Sequence, residues 1–118
     1  NLNAKLIILG GGQLRDHLIS LIGELNLTER VKLPGFVHDP SQWYRTADLF
    51  VLSSRWEGFG NVIVEALECG VPVVSTRSGG PTEILNNGAY GKLVPVGDCN
   101  ALATAMEESF GALHDHEL

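Results

Sequence analysis

The sequence predicts an α/β domain: a doubly wound, mainly parallel sheet of about five strands with helices on both faces. Short β-branched apolar runs alternate with segments of helical period along the whole chain. Glycine-bearing loops follow most of those runs, and parallel neighbours need helical crossovers of this kind.

Lys5 to Leu9 is an apolar run ending in Gly10-Gly11-Gly12, after which Leu14, Leu18, Leu21, Ile22 and Leu25 recur with helical period. This reads as strand, glycine turn and helix. Val31 to Leu33 makes a second strand, stopped by Pro34-Gly35. Asp39-Pro40-Ser41 followed by Trp43, Tyr44 and Ala47 reads as a short helix, and Asp48 to Ser53 as the third strand. A helix from about Asn61 to Cys69 turns Ile63, Ala66 and Leu67 to the core and ends at Gly70, a position suited to a left-handed cap. Val71 to Ser75 is the fourth strand. Gly79-Gly80-Pro81 opens a short helix through Leu85, since proline suits a first helical turn, and Asn86-Asn87-Gly88 ends it. Gly91 to Pro95 is the fifth strand. Asp98 then caps a last helix from about Asn100 to Phe110, with Leu102, Ala105, Met106 and Ser109 on one side. Residues 1–112 are expected to form one domain fragment and 113–118 a disordered tail.

Composition narrows the function. The 118 residues are 44% hydrophobic, enough for one core and too few for two. Eight basic against fourteen acidic residues give a net charge of −6, which opposes attraction to nucleic acid or anionic membrane. The longest apolar stretches are strand-sized, far short of the roughly 20 residues that span a bilayer. Two cysteines, Cys69 and Cys99, make no disulfide framework, so free thiols in a reducing, cytosolic setting are expected. The chain begins at Asn1 and enters a strand almost at once, as an excerpt of something longer would.

Ligands of doubly wound domains bind beyond the carboxyl ends of the strands. Gly10 to Gly12, Pro34 to Val37, Ser54 to Gly60 and Arg77 to Gly80 all follow strands, so these four loops are expected at that edge. The run from Arg55 to Glu65 stands out among them. Its glycines let backbone approach a ligand closely, and the free N–H groups and dipole of the helix start favour an anion such as phosphate. Glu57 precedes that helix and Glu65 lies about one turn inside it, so both carboxylates can accept hydrogen bonds from one hydroxyl-rich ligand, a sugar or a ribose. A carboxylate near a helix start can also simply complement the dipole, which accounts for Glu57 better than for Glu65.

Other motifs are weaker. Gly10-Gly11-Gly12 is a poor dinucleotide fingerprint, because Arg15 stands where glycine or alanine is needed and Lys32 falls near the position of the acidic ribose partner. It reads as a tight turn. Arg55 and Arg77 sit in post-strand loops where a diphosphate could bind, with solvated surface an equal reading. His17, His38, His114 and His116 lack the clustering of a metal site.

Beyond single motifs, the chain resembles a family. Glu57 through Glu65 match the Glu-x7-Glu motif of the retaining, GT-B-fold glycosyltransferases of family 4, the group 1 glycosyltransferases. Leu6 to Gly12, Val31 to Val37, Ala47 to Leu52, Glu65 to Val74, Ser78 to Ile84 and Gly91 to Val94 resemble, in order, that family's Rossmann-like, nucleotide-binding C-terminal domain. The resemblance implies a nucleotide-sugar donor, no metal and no other cofactor. It places Glu57 on the donor sugar's hydroxyls as the catalytic residue and Glu65 on the ribose. Backbone amides of Phe59, Gly60, Asn61 and Val62 would meet the sugar and diphosphate, Phe36, Val37 and His38 would line the base, and Gly79-Gly80 would border the phosphates.

By the same resemblance, the acceptor hydroxyl attacks the anomeric carbon on the face the diphosphate leaves. The acceptor, a glycan or lipid-linked saccharide, would meet an N-terminal domain that is not in this chain, and no nucleic acid is expected. The family's Arg and Lys that neutralise the diphosphate lie on the domain's first strand and following loop, and this chain is expected to begin at the second strand. Alone it would then be inactive. Within the full protein, a cytoplasmic enzyme with room for peripheral contact at the inner membrane face is implied. A non-catalytic nucleotide-binding or protein-interaction module is the alternative.

Overall fold

A computed structural model describes residues 4–10, 12–55, 58 and 60–117, with side chains described as far as 111. The backbone divides into two compact units, Asn1–Pro40 and Ser41–Leu118.

In the first unit, β1 (Leu6–Leu9) pairs in parallel with β2 (Val31–Gly35) across α1 (Arg15–Glu24). The register runs Leu6 to Val31 and Leu9 to Gly35 with an irregularity between Ile7 and Leu9, and the Gly10 N–H donates to the Gly35 carbonyl at 2.8 Å. Strand β2 therefore continues through Pro34-Gly35, where the sequence predicts its stop. Its only strand partner among the described residues is β1, so Pro34 sits on an edge strand, where a missing N–H costs the sheet little. The Arg15 guanidinium donates to the Leu33 carbonyl at 2.8 Å, tying α1 to β2. That bond gives Arg15 a structural role at the position where a dinucleotide fingerprint needs a small residue.

In the second unit, α2 (Ser41–Thr46) leads to a parallel sheet ordered β3 (Phe50–Leu52), β4 (Val73–Thr76), β5 (Lys92–Val94). Between them lie α3 (Asn61–Glu68), α4 (Gly80–Ile84) and a 3₁₀ turn at Asn86–Gly88. The adjacent residues Val73 and Val74 point to opposite faces, as a strand requires. Val73 joins Ile63, Ala66 and Leu85 in one buried cluster, and Val74 joins Val94 and Ala105 in another. Helices α3 and α4 thus cover one face and α5 (Cys99–Glu117) the other, the two-faced arrangement expected.

Gly91 allows the approach of β5 to that core. A Cβ there would stand 2.9 Å from the Val73 carbonyl and 3.0 Å from Leu85 Cδ2.

The predicted punctuation recurs in detail. Gly70 takes the left-handed cap at φ +77°, and Pro81 occupies the first turn of α4. Asp98 Oδ1 accepts the Ala101 N–H at 2.9 Å at the start of α5, with Ala105 and Ser109 buried on one side. Helix α5 runs to Glu117, past its predicted end at Phe110 and through most of the expected tail. Gly111 alone costs a helix only about 1 kcal/mol relative to alanine, and Ala112 and Leu113 continue it readily. Both cysteines are free. No helix among the described residues is long and apolar enough to cross a membrane.

Candidate functional site

Helix α3 starts behind Gly60, whose φ of +86° is left-handed backbone. No side chain caps this start. The Ile63 N–H returns to the Gly60 carbonyl at 3.0 Å, while those of Asn61 and Val62 are donors for which a helix start offers no intrahelical partner. The dipole adds positive partial charge, so the end suits an anion. A Cβ on Gly60 would lie 3.3 Å from Ile84 Cδ1 and 3.4 Å from two Pro81 ring atoms. Backbone angle and available space both demand glycine here.

Glu65 lies one turn inside α3 and is exposed. Helix α2 packs against α3 and carries Tyr44, only 6% exposed, whose ring meets Phe50 edge to face with centroids 5.5 Å apart. Burial, followed by the charge and hydrogen-bonding of Glu65 and the charge of Cys69, pushes the phenol above its ordinary value of 10.0. At neutral pH Tyr44 is therefore an uncharged phenol.

The loops after β3 and β4 leave one edge of the parallel sheet and are tied together there. Thr76 Oγ1 donates to the Ser54 carbonyl at 2.6 Å, and Ser78 Oγ donates to the Thr76 carbonyl at 3.3 Å. Gly79 then turns the chain at φ +102° into α4, which begins with Gly80 and packs on α3. Gly60, Asn61, Val62 and Glu65 share one helix, with Gly79 and Gly80 opening its neighbour.

Trp56, Glu57 and Phe59 lie outside the described residues. Phe36, Val37 and His38 follow β2 in the other unit, with Phe36 81% exposed, Val37 half-buried and His38 exposed. The Gly10 N–H meets the Gly35 carbonyl, so the chain leaves β1 and β2 at the same end of that pair. Arg55 is exposed. Arg77 lines an open hollow with Lys92, Thr104 and Glu108 beside β5 and α5, where Lys92 already bonds Glu108 at 3.4 Å, and the lining includes neither Gly60 nor Glu65. Among the described residues, no three His, Cys, Asp or Glu side chains cluster as metal ligands.

Sequence reasoning missed two participants, Tyr44 and Thr76. A buried tyrosine needs a partner for its hydroxyl, which was a usable signal. Nothing local marks Thr76, whose partner lies 22 residues away.

Residues 1–110 match the family described as "Glycosyl transferases group 1". This chain belongs to the group 1 glycosyltransferases. It is 41% identical over 103 residues to the lipopolysaccharide core biosynthesis glycosyltransferase LpsE of Rhizobium meliloti, covering 87% of this chain and 30% of that protein. It is also 41% identical over 104 residues to the Campylobacter jejuni enzyme named N-acetylgalactosamine-N,N'-diacetylbacillosaminyl-diphospho-undecaprenol 4-alpha-N-acetylgalactosaminyltransferase, covering 87% of this chain and 28% of that one. Among solved structures, Anabaena Alr3699/HepE in complex with UDP superposes with a TM-score of 0.82 at 34% identity, over 92% of this chain and 31% of that one. The chain spans about 30% of the length of these group 1 glycosyltransferase relatives. Its fold is the Rossmann-like, parallel α/β type of the GT-B glycosyltransferases, as the sequence predicts.

Proposed function

We propose that this group 1 glycosyltransferase chain is the donor-binding part of a retaining enzyme that moves a hexosyl group from a nucleoside diphosphate to an acceptor hydroxyl. One observation carries the reading: α3 presents an uncapped start at Gly60–Val62 and, one turn further on, the exposed carboxylate of Glu65. Glu65 stands four positions after Asn61, about 6 Å along the helix, a span that the diphosphate and ribose of one nucleotide bridge. The presence of UDP in the Anabaena neighbour supports the same ligand class.

On this reading Glu65 accepts hydrogen bonds from the ribose hydroxyls, and the amides of Phe59, Gly60, Asn61 and Val62 meet the sugar and diphosphate. Glu57 holds the sugar. Phe36, Val37 and His38 line the base, and Gly79-Gly80 border the phosphates. The acceptor oxygen bonds to the anomeric carbon as the bond from that carbon to the diphosphate oxygen breaks, and the leaving diphosphate takes both the electron pair and the acceptor's proton. Amides and a helix dipole carry the anion here, so the reading assigns no metal to nucleotide binding. The acceptor, a glycan or a lipid-linked saccharide, belongs to a further domain. On this reading these 118 residues alone bind nucleotide without transferring sugar, because the acceptor is held elsewhere and transfer needs both substrates in one cleft.

Separating transfer from binding tests the roles. Glu65→Ala weakens uridine or guanosine diphosphate about tenfold or more, the worth of a charge-assisted hydrogen bond. Glu57→Ala, in an active enzyme, abolishes transfer and nearly keeps nucleotide affinity. Unchanged affinity in the first variant removes the ribose role, and equal loss of both properties in the second removes the sugar role.

A further inference from the structure

We propose that Arg15 is a positioning residue for the nucleotide base, its guanidinium fixing the end of β2 from which Phe36, Val37 and His38 leave. The inference rests on the base-lining role assigned to those three residues. Over this stretch two steps of β1, Ile7 to Leu9, stand against three of β2, Lys32 to Gly35. An insertion of this kind is a β-bulge, and a bulge re-aims the chain beyond it. Pro34 lies inside it and has no N–H to give the ladder. The backbone alone therefore holds this strand end poorly, and the Arg15 guanidinium holds it from outside, donating from Nη2 to the Leu33 carbonyl at 2.8 Å. The Gly10 N–H fixes the Gly35 carbonyl at 2.8 Å, in the peptide that leads into Phe36.

Two features set Arg15 apart from a surface arginine. Helix α1 buries no residue, so this bond, more than apolar packing, keeps its first turn on β2. The side chain is half-buried, and its Nη1 is buried with no acceptor among the described residues. An arginine free of other duty would turn that donor into water, since an unmade buried hydrogen bond is a cost. Beyond the bond the chain is open to a ligand: Gly35 turns it at φ +90° and Phe36 is exposed. Arg15 touches no substrate in this arrangement and acts only through the backbone of residues 33–35. A loop held before the base arrives saves the cost of ordering it on binding. Contacts to the diphosphate and ribose fall to other residues and do not depend on the bond.

Arg15→Met keeps most of the stem and removes every donor, and Arg15→Lys keeps one charged donor group. Titration calorimetry of the chain with uridine and guanosine diphosphates reads the preference between bases. The unaltered protein prefers one of the two. The methionine variant binds that one about tenfold more weakly and the other within about twofold of the unaltered protein, whereas the lysine variant keeps the preference. Equal weakening of both nucleotides marks a merely structural arginine and overturns the inference, as does an unchanged preference in the methionine variant or a lost one in the lysine variant. Should Arg15→Met not fold, Arg15→Gln, whose shorter amide gives up the bond, is read in its place. Magnetic resonance on the unaltered protein tests the underlying reading: the preferred diphosphate shifts the amide signals of Val37 and His38, and inorganic pyrophosphate does not. If the nucleotide binds and leaves those signals in place, the base-lining role falls first. Equal binding of both bases overturns the inference and spares the nucleotide site, and binding of neither removes both.

Discussion

Two strand–glycine–helix passages in this chain look alike on paper and pack differently. In β3–Gly60–α3, the helix buries Ile63 and Ala66 completely. In β1–Gly10–α1, the helix buries no residue, and Leu14, Ile19, Leu21 and Leu25 are exposed. Every fully buried side chain among the described residues belongs to the Ser41–Leu118 unit. Periodicity shows which face of a helix is apolar, and only packing shows whether that face anchors anything. The candidate site stands on the anchored helix, which holds amides and a carboxylate in fixed relation.

The contrast has measurable consequences. Ile63→Ala empties a fully buried position, and urea unfolding should show a loss of about 2–5 kcal/mol. A loss below 1 kcal/mol would mean that α3 is no better anchored than α1. Gly60→Ala forces a side chain into left-handed backbone and against Pro81 and Ile84, costing about 1–3 kcal/mol, and it tilts the helix start enough to weaken nucleotide binding as well. Retained affinity in that variant would separate the glycine's structural need from the site. Leu21→Ala, on the exposed face of α1, should change stability by no more than about 0.5 kcal/mol. A cost like that of Ile63→Ala would erase the contrast between the two helices.

What could be read in advance follows the range of the forces involved. Local chemistry was legible: Gly70 as a left-handed cap, Pro81 in a first turn, Asp98 accepting from Ala101, and the bounds of α3. Features decided by a distant partner were not. Pro34 stays in β2 because that strand lies at a sheet edge, a fact of pairing that no dipeptide rule contains. The third strand is shorter than its apolar run, Phe50–Leu52 against Asp48 to Ser53, because the extent of a strand is set by its ladder to β4. In the site, the helix mouth and Glu65 were legible from spacing and residue type. The Thr76 hydroxyl that bonds the Ser54 carbonyl comes from another element and carries no local signature.

The most direct measurement follows the backbone amides of α3 by nuclear magnetic resonance while uridine or guanosine diphosphate is added. Binding at the helix mouth shifts the N–H signals of Gly60, Asn61 and Val62 together with that of Glu65, and leaves those of Thr104 and Glu108 on α5 in place. Saturable binding that moves the α5 signals and leaves Gly60 to Val62 unmoved would contradict a nucleotide seated on this helix.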